Sequence, residues 1–163
     1  MFTHPDIRPA TPADAAAIAA IYVESARHHV ALSPERYSVP DADAVAARYR
    51  AGEQHPGGIA AAVTLVAEVE GSVGGFVDAR LDAPVDPMHR PLTYLYVSEI
   101  AVAEHLRGQG LGTALLAAVE HWGRARGASL AVLEYNAANV CAARFYQRRM
   151  GYRDGSVVAF KEL

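Results

Sequence analysis

The sequence has little cysteine, little lysine and no long apolar run. Cys141 is its one cysteine and Lys161 its one lysine. A single cysteine excludes an internal disulfide and a zinc site built from several thiolates, and we expect no metal site. No stretch reaches the about eighteen consecutive apolar residues of a membrane-spanning helix, and the N-terminus lacks the basic and apolar regions of a signal peptide. We therefore expect a cytoplasmic protein with no membrane association.

Neither sign of charge dominates the sequence. Eighteen acidic residues are set against fifteen basic ones, for a formal net charge of −3. This balance gives no general attraction to nucleic acid or to an anionic membrane, so we expect neither as a partner. Apolar residues make up 52% of the chain, which is enough to bury a core and excludes intrinsic disorder. We expect one globular domain over residues 1–163.

Hydrophobic periodicity and turn residues divide the chain into strands and helices. Strands are predicted around Ile7 and at 64–69, 73–81, 92–102, 130–133 and 157–160, of which 130–133 is expected to be buried. Helices are predicted after a Thr11 cap, from near Asp41, over 111–127 and over 139–151. Residues 27–40 are predicted as a loop or broken helix, 54–58 break the pattern, and 82–91 form a proline-rich loop. This order, with a hairpin at 70–72, predicts an α/β fold around a mixed sheet.

The strand predicted at 92–102 decides which side chains share a surface. Simple alternation places one set of its residues on a common face: Tyr94, Tyr96, Ser98, Ile100 and Val102. It places Glu99 on the opposite face, although a β-bulge within the strand would invert that phase.

A glycine-rich turn follows this strand and leads into a helix. Its spacing is Gly108-x-Gly110-x-Gly112, with Arg107 directly before it. Glycines let successive main-chain N–H groups face inward, and a helix N-terminus adds about half a positive charge, so the turn predicts an anion site. The turn lacks the Lys-Ser/Thr ending of a nucleotide P-loop and the G-x-G-x-x-G spacing of dinucleotide folds. Both of those classes fit poorly.

Two separated motifs resemble the GCN5-related N-acetyltransferase (GNAT) family. Arg107-Gly108-Gln109-Gly110-Leu111-Gly112 matches the family's Arg/Gln-x-x-Gly-x-Gly/Ala loop and follows Ile100-Ala101-Val102. The second motif is Asn139-x-x-Ala142-x-x-Phe145-Tyr146, followed by Met150-Gly151-Tyr152. Residues 7–14 and 66–76 are similar to the family's start and middle, so the resemblance spans nearly the whole chain. It implies a single GNAT-like domain with a mixed, largely antiparallel central sheet flanked by helices.

The resemblance implies acetyl-CoA as co-substrate and identifies residues that would hold it. In the family, main-chain amides of the turn bind the pyrophosphate, which here corresponds to Arg107, Gly108, Gln109, Gly110, Leu111, Gly112 and Thr113. The preceding strand pairs with the pantetheine arm, a role that falls to Ile100, Ala101 and Val102. Asn139 is expected to hydrogen-bond to the same arm, and Ala142 belongs to the same part of the site.

The resemblance also assigns catalytic and acceptor residues. Tyr146 matches the tyrosine that protonates the departing thiolate, and a phenol with a pKa of about 10 stays protonated at neutral pH. Glu134 is similar in position to the glutamate base of N-terminal acetyltransferases of ribosomal proteins, with Glu99 as the rival base and a surface or helix-cap role as the alternative. The acceptor amine is expected to approach Tyr94, Tyr96 and Ser98, with residues 27–37, including His28, as the other wall. A serine at position 98 favours proton transfer through a water relay.

The expected function is transfer of an acetyl group from acetyl-CoA to a primary amine of a small molecule or peptide, by direct attack in a ternary complex. The alternative is a non-catalytic acyl-CoA-binding or regulatory module of the same fold. A third hypothesis is a nicotinamide-dependent oxidoreductase, which would bind NAD. A homodimer is compatible with the family, and no motif identifies the acceptor.

Overall fold

One five-stranded sheet forms the centre of the molecule. The computed structural model describes residues 5–53, 55 and 61–161. The strands lie side by side in chain order: β1 (Asp6–Pro9), β2 (Ala62–Val69), β3 (Ser72–Asp82), β4 (Tyr94–Val102) and β5 (Leu130–Leu133). Neighbours from β1 to β4 pair antiparallel, whereas β4 and β5 pair in parallel. The mixed, largely antiparallel sheet expected from the sequence is confirmed.

Four helices flank this sheet: α1 (Ala15–Leu32), α2 (Ala42–Ala51), α3 (Leu111–Arg124) and α4 (Val140–Arg144). α4 continues into a π-helical turn at Phe145–Arg149. The predicted start of α2 is confirmed, because Asp41 Oδ1 accepts a hydrogen bond from Ala44 N at 2.8 Å. Within the described ranges, no helix has the length and apolar character needed to cross a bilayer.

Helices cover both faces of the sheet. α1 and α2 cover one face, where Ile18, Val66 and Phe76 pack together. α3 covers the other face, where Leu115 and Val119 pack against the strands. Each fully buried side chain of this kind contributes about 1.5–3 kcal/mol. Apolar packing therefore fixes both helix layers relative to the sheet, and the site described below takes residues from both.

The first half of the segment predicted as a loop is helical. α1 continues to Leu32, and its C-terminal residue is followed by Ser33 and then Pro34. Proline cannot extend a helix and is common just after its end, so Pro34 marks the boundary and the preceding histidines do not. The predicted break at 54–58 lies outside the described residues, apart from His55.

Two predicted strands differ from the structure near the C-terminus. β5 has the predicted bounds but is not buried, because it lies at the rim of the sheet, with Leu130 and Val132 exposed by 53% and 37%. Residues 157–160 form no strand, and Val157 and Phe160 are exposed. Apolar β-branched residues predicted a strand there, but no strand edge among the described residues pairs with them.

A β-bulge interrupts β4 at Ser98. Asp78 of β3 lies opposite Glu99, and the next β3 residue, Ala79, lies opposite Val97. The extra residue inverts the side-chain alternation. Residues on the α3 side are Leu95, Val97, Ile100 and Val102, whereas Ala101 packs on the side of α1 and α2.

The bulge overturns the predicted common face of β4. Tyr94 and Tyr96 alternate with Leu95 and Val97, so they lie on the side away from α3, while Ile100 and Val102 lie on the α3 side. The predicted grouping of Tyr94, Tyr96, Ser98, Ile100 and Val102 is therefore wrong. Glu99 instead lies on the face covered by α1 and α2.

Candidate active site

A cavity of about 460 Å³ lies beside β4, beyond the end of β5. Its floor is the segment of β4 from Val97 to Val102. Its walls come from the end of α1, the turn before α3 and residues 133–149. β5 ends at Leu133, opposite Val97, whereas β4 continues to Val102. The cavity thus occupies the place where the two parallel strands stop pairing.

One edge of β4 is unpaired at this cavity. In the part of the chain that the structure describes, residues 99–102 pair with β3 but not with β5. Such an edge presents N–H and C=O groups to which an extended, peptide-like ligand can bond as an added strand would. Ile100, Ala101 and Val102, the residues predicted for the pantetheine arm, all line the cavity.

The glycine turn forms the end of the cavity nearest α3. Gly108 and Gly110 have φ of 77° and 91°, a conformation that glycine adopts without the steric cost of a side chain. Gly110 also occupies the N-cap of α3, where no side chain accepts a hydrogen bond from the first turn. The amides at this helix start can therefore bind an anion. Gln109 is predicted in the same site, but it does not line the cavity and its Nε2 donates to His105 O at 3.2 Å.

Two arginines stand at the turn in different roles. Arg107, predicted as the cation of the anion site, donates from Nη2 to Glu24 Oε1 at 3.0 Å and from Nε to Val102 O at 3.1 Å. These bonds connect the turn to α1 and to the end of β4. Arg149, which the sequence analysis missed, lines the cavity and donates from Nε to Thr113 Oγ1 at 2.9 Å. Its only sequence signal is a basic residue shortly after the second motif.

Glu99 lines the cavity from the bulge of β4. Burial, and then the negative charge of Asp78, raise the pKa of Glu99 to about 7. The nearby guanidinium of Arg48 and a hydrogen bond with Ser25 oppose that rise. A carboxyl group in this state exchanges a proton near neutral pH, which suits a general base.

Tyr146 lies in the π-helical turn and also lines the cavity. Its side chain is buried, with the rings of Phe145 and Tyr135 at centroid distances of 5.2 and 5.4 Å. Burial, and then the charge of Glu99, raise the pKa of Tyr146 to about 12. The phenol therefore stays protonated at neutral pH and is available as a proton donor.

Two asparagines organise the wall opposite the turn. Asn139 Oδ1 accepts a hydrogen bond from Ala142 N at 3.0 Å, so this side chain caps α4. Asn139 and Ala142, the two residues that the resemblance assigned to the co-substrate site, both line the cavity. Asn136 Nδ2 donates to Ser33 Oγ at 2.8 Å, which joins this wall to the end of α1.

The residues predicted for the acceptor are divided by the structure. Ser98 and His28 line the cavity, whereas Tyr94 and Tyr96 do not. The Ser98 hydroxyl donates to the main-chain carbonyl of Asp78 at 3.3 Å, so it serves the bulge. The Tyr96 ring lies under the guanidinium of Arg80, 4.4 Å from its centroid.

Glu134, the base predicted from the resemblance, lines the cavity but is exposed, unlike Glu99. It lies one residue beyond the end of β5. The pKa of Tyr96 is raised chiefly by burial of that phenol and secondly by the negative charge of Glu134. The cavity therefore has a half-buried acid on its floor and an exposed acid at its mouth.

Comparison with known proteins identifies sequence relatives. The family model described as "Acetyltransferase (GNAT) family" matches residues 15–152. An uncharacterized N-acetyltransferase of Methanocaldococcus jannaschii is 37% identical over 90 residues, which cover 55% of this chain and 51% of that protein. The match thus spans about half the length of this relative.

Solved structures share the fold. A mutant of the BH1408 protein from Bacillus halodurans has a TM-score of 0.85 at 23% identity, covering 97% of this chain and 99% of its own. An aminoglycoside N-acetyltransferase solved in complex with CoA has a TM-score of 0.69 at 21% identity, covering 98% and 95% of the two chains. The same aminoglycoside enzyme with a CoA-based bisubstrate analogue has a TM-score of 0.70 at 22% identity, covering 99% of each chain. At these identities the similarity shows a common fold.

Proposed function

Because the chain belongs to the acetyltransferase (GNAT) family, we propose that it transfers an acetyl group from acetyl-CoA to a primary amine of a small molecule or peptide. The amine attacks directly, with both substrates bound. The observation that carries this proposal is that a carboxyl with a pKa of about 7, Glu99, and a protonated phenol, Tyr146, line one cavity at the unpaired edge of β4.

The cavity fits acetyl-CoA at both ends of that molecule. The open edge of residues 99–102 can hydrogen-bond to the amides of the pantetheine arm. The amides around Gly110, together with Arg149, can bind the phosphates. The bound thioester supplies the acetyl group and a thiolate leaving group.

The two titratable groups of the cavity divide the proton transfers. Glu99 accepts a proton from the ammonium form of the acceptor, directly or through water, because its pKa lies near neutrality. Tyr146 donates a proton to the departing sulfur, since its raised pKa keeps the hydroxyl protonated. We place the base at Glu99 because it is half-buried on the cavity floor, opposite Asp78. Glu134, exposed at the mouth, attracts a cationic acceptor.

The proposed acceptor is a small cationic amine. Glu99 and Glu134 present two carboxyl groups to the cavity, and the end of α1 presents His28 at the same mouth. The fold shared with an aminoglycoside N-acetyltransferase supports the same substrate class.

Calorimetric titration with acetyl-CoA, CoA and NAD is the first test. Micromolar binding of acetyl-CoA without binding of NAD is expected, followed by release of free thiol when a panel of primary amines is added. Binding without thiol release across the panel would favour the non-catalytic acyl-CoA-binding module. Binding of NAD alone would favour the oxidoreductase.

Matched glutamine variants test the assignment of the base. Glu99→Gln is expected to lower kcat by about a hundredfold and to remove the acid limb of the pH profile. Glu134→Gln deletes the same charge at the mouth and is expected to raise KM while that limb stays in place. The reverse pattern would move the base to Glu134.

A further inference from the structure

A row of polar side chains crosses the sheet beneath the active site. In the strand register Thr64 of β2 lies opposite Asp78 of β3, and Asp78 lies opposite Glu99 of β4. The neighbouring residues on this face, including Val66 and Phe76, are buried and apolar. A carboxylate in such a place needs compensating bonds, so Asp78 calls for an explanation.

Asp78 is held on both carboxylate oxygens. Thr64 Oγ1 donates to Asp78 Oδ1 at 2.7 Å, and the Tyr49 hydroxyl of α2 donates to Asp78 Oδ2. Asp78 is only 3% exposed. Burial and the charge of Asp78 raise the pKa of Tyr49, so that hydroxyl remains a donor. Two hydroxyl donors on two oxygens are the arrangement that an ionised carboxylate accepts.

Several other polar groups face the pair formed by Asp78 and Glu99. Burial lowers the pKa of His55, whose Nε2 lies 3.9 Å from Asp78 Oδ1, so this ring is neutral near pH 7. Arg48 is the nearby cation, and its charge favours the ionised form of both acids. The groups packed around the pair are Ser25, His28 and His29 of α1, Arg48 and Tyr49 of α2, Thr64 of β2 with His55 before it, Tyr146 of the π-helical turn, and Glu134 after β5.

We propose that Asp78 is a positioning residue. From its fixed place opposite Glu99 in the strand register, it sets the pH at which Glu99 takes up and releases its proton. Asp78 does not line the cavity. It acts through the strand pairing and through its charge. This inference rests on the proposed function only in that Glu99 serves there as the base.

The physical reason is repulsion between two acids in one buried region. An isolated glutamate has a pKa of about 4.3 and would be a weak acceptor for an ammonium proton. Burial makes the charged form of Glu99 less favourable, and a fixed negative neighbour adds to that effect. Burial raises the pKa of Asp78 as well, but the hydrogen bonds from Thr64 and Tyr49 oppose that rise by stabilising its charge, so on this proposal the first proton taken up by the pair goes to Glu99. Environments that separate the titrations of two neighbouring acids are typical of acid–base sites.

Asp78→Asn tests this inference because it keeps the shape of the side chain and removes the charge. The acid limb of kcat/KM against pH is expected to move down by about one pH unit. The Cδ resonance of Glu99 in protein labelled with ¹³C-glutamate, assigned by its loss in Glu99→Gln, is expected to titrate lower by a similar amount. Asp82→Asn is the matched control, since it removes one acid from the same strand at an exposed position paired with Arg80. It should move neither curve.

A second variant guards against misfolding of Asp78→Asn. Tyr49→Phe removes one donor to Asp78 and keeps the ring packed edge-on against Phe76. It is expected to move the limb and the resonance in the same direction by a smaller amount, because the proton then shifts toward Asp78.

Unchanged midpoints in Asp78→Asn or, if that variant does not fold, in Tyr49→Phe would overturn the inference, even if kcat fell uniformly at every pH. A wild-type acid limb in Glu99→Gln would instead refute the assignment of the base. In that case the Glu99 resonance still tests whether Asp78 controls its titration, so the two failures are distinguishable.

Discussion

As the proposed proton donor, Tyr146 must meet two requirements. It must approach the leaving sulfur closely, and it must keep its proton until the reaction. Burial among aromatic rings, and then the charge of Glu99, raise its pKa to about 12 and keep the hydroxyl intact. One cavity thus holds a carboxyl group that titrates near neutrality and a phenol whose pKa lies well above it.

Tyr146→Phe is expected to lower kcat by about a hundredfold or more, the usual range for loss of a general acid. The dissociation constant of acetyl-CoA should change by less than about twofold, because the ring still packs against Phe145 and Tyr135. A free-thiol assay and calorimetry measure the two quantities. Tyr152→Phe is the control, since that hydroxyl donates to Glu120 at 2.9 Å. Turnover equal to wild type in Tyr146→Phe would remove the residue from the mechanism.

At the residue scale, the family resemblance pointed to Tyr146 through its spacing from Asn139 in the second motif, and both residues line the cavity. Glu99 was only the rival base, because its direction depends on a bulge that is visible only once β3 and β4 are paired. The role of Asp78 could not be predicted from the sequence, because a single acid in an apolar strand does not reveal which hydroxyl groups will donate hydrogen bonds to it.

At the scale of elements, the glycine turn is set by backbone conformation. Gly110 joins the turn to α3 at a φ of 91°, and no other atom would lie within 4 Å of an added Cβ. A substitution there is therefore opposed by the backbone conformation and not by a clash. On the proposed function, the affinity for the phosphates of acetyl-CoA depends on the amides that this conformation aligns.

Gly110→Ala is expected to weaken acetyl-CoA binding by about tenfold, because an L-residue in the left-handed region costs about 1–2 kcal/mol and relaxation would turn the amides. Gly127→Ala is a matched control, since Gly127 has the same φ of 91° beyond the other end of α3. Both variants should lose similar stability in urea, and only Gly110→Ala should lose affinity in calorimetry. Equal affinities would show that the turn does not bind the co-substrate.

Local signals predicted the elements unevenly. The Asp41 side-chain cap marks the start of α2, and Gly52, in the left-handed conformation, marks its end. Cap residues of this kind can be recognised in a sequence. The length of α1 was missed because two histidines and a proline looked like a loop, although only Pro34 ends the helix. The exposure of β5 depends on its place in the sheet, which periodicity does not reveal.

At the scale of the molecule, one ion cluster joins three parts of the chain. Arg8 of β1 donates to both oxygens of Asp14 at 2.8 and 2.9 Å, just before α1, and to Glu68 of β2 at 2.9 Å. Thr11 N also donates to Asp14, at 2.7 Å. The hydrogen bonds from Arg8 hold the pKa of Asp14 far below its usual range.

Asp14→Asn is expected to destabilise the fold by about 2 kcal/mol at pH 7, the usual size for lost hydrogen bonds to a charged group. A lowered pKa in the folded state stabilises above the unfolded value of about 3.9, and that contribution is lost as pH falls toward the folded value. Urea titrations should show the wild-type advantage shrinking below about pH 4. Asp6→Asn, a change at an exposed position of β1, the strand that carries Arg8, should have little effect. An advantage that does not vary with pH would contradict the ionic origin.

The fold of the whole chain was largely predictable, because the paired motifs and the order of elements agree with the sheet that formed. The strand expected at 157–160 is the exception, and it shows that β-propensity needs a partner edge before it becomes structure.

The unpaired edge of β4 also bears on how the chain avoids aggregation. Open strand edges invite pairing with other molecules, and proteins commonly keep them short or covered. Here the open residues 99–102 begin just beyond the point where the four-residue β5 stops pairing, and the cavity wall beside them is joined to α1 by the bond from Asn136 to Ser33. A strand from a neighbouring chain would have to displace this wall, residues 133–149, to pair with them. The unpaired backbone groups of residues 99–102 are thus accessible to a narrow ligand in the cavity, while the cavity wall keeps the strand of another protein from pairing with them.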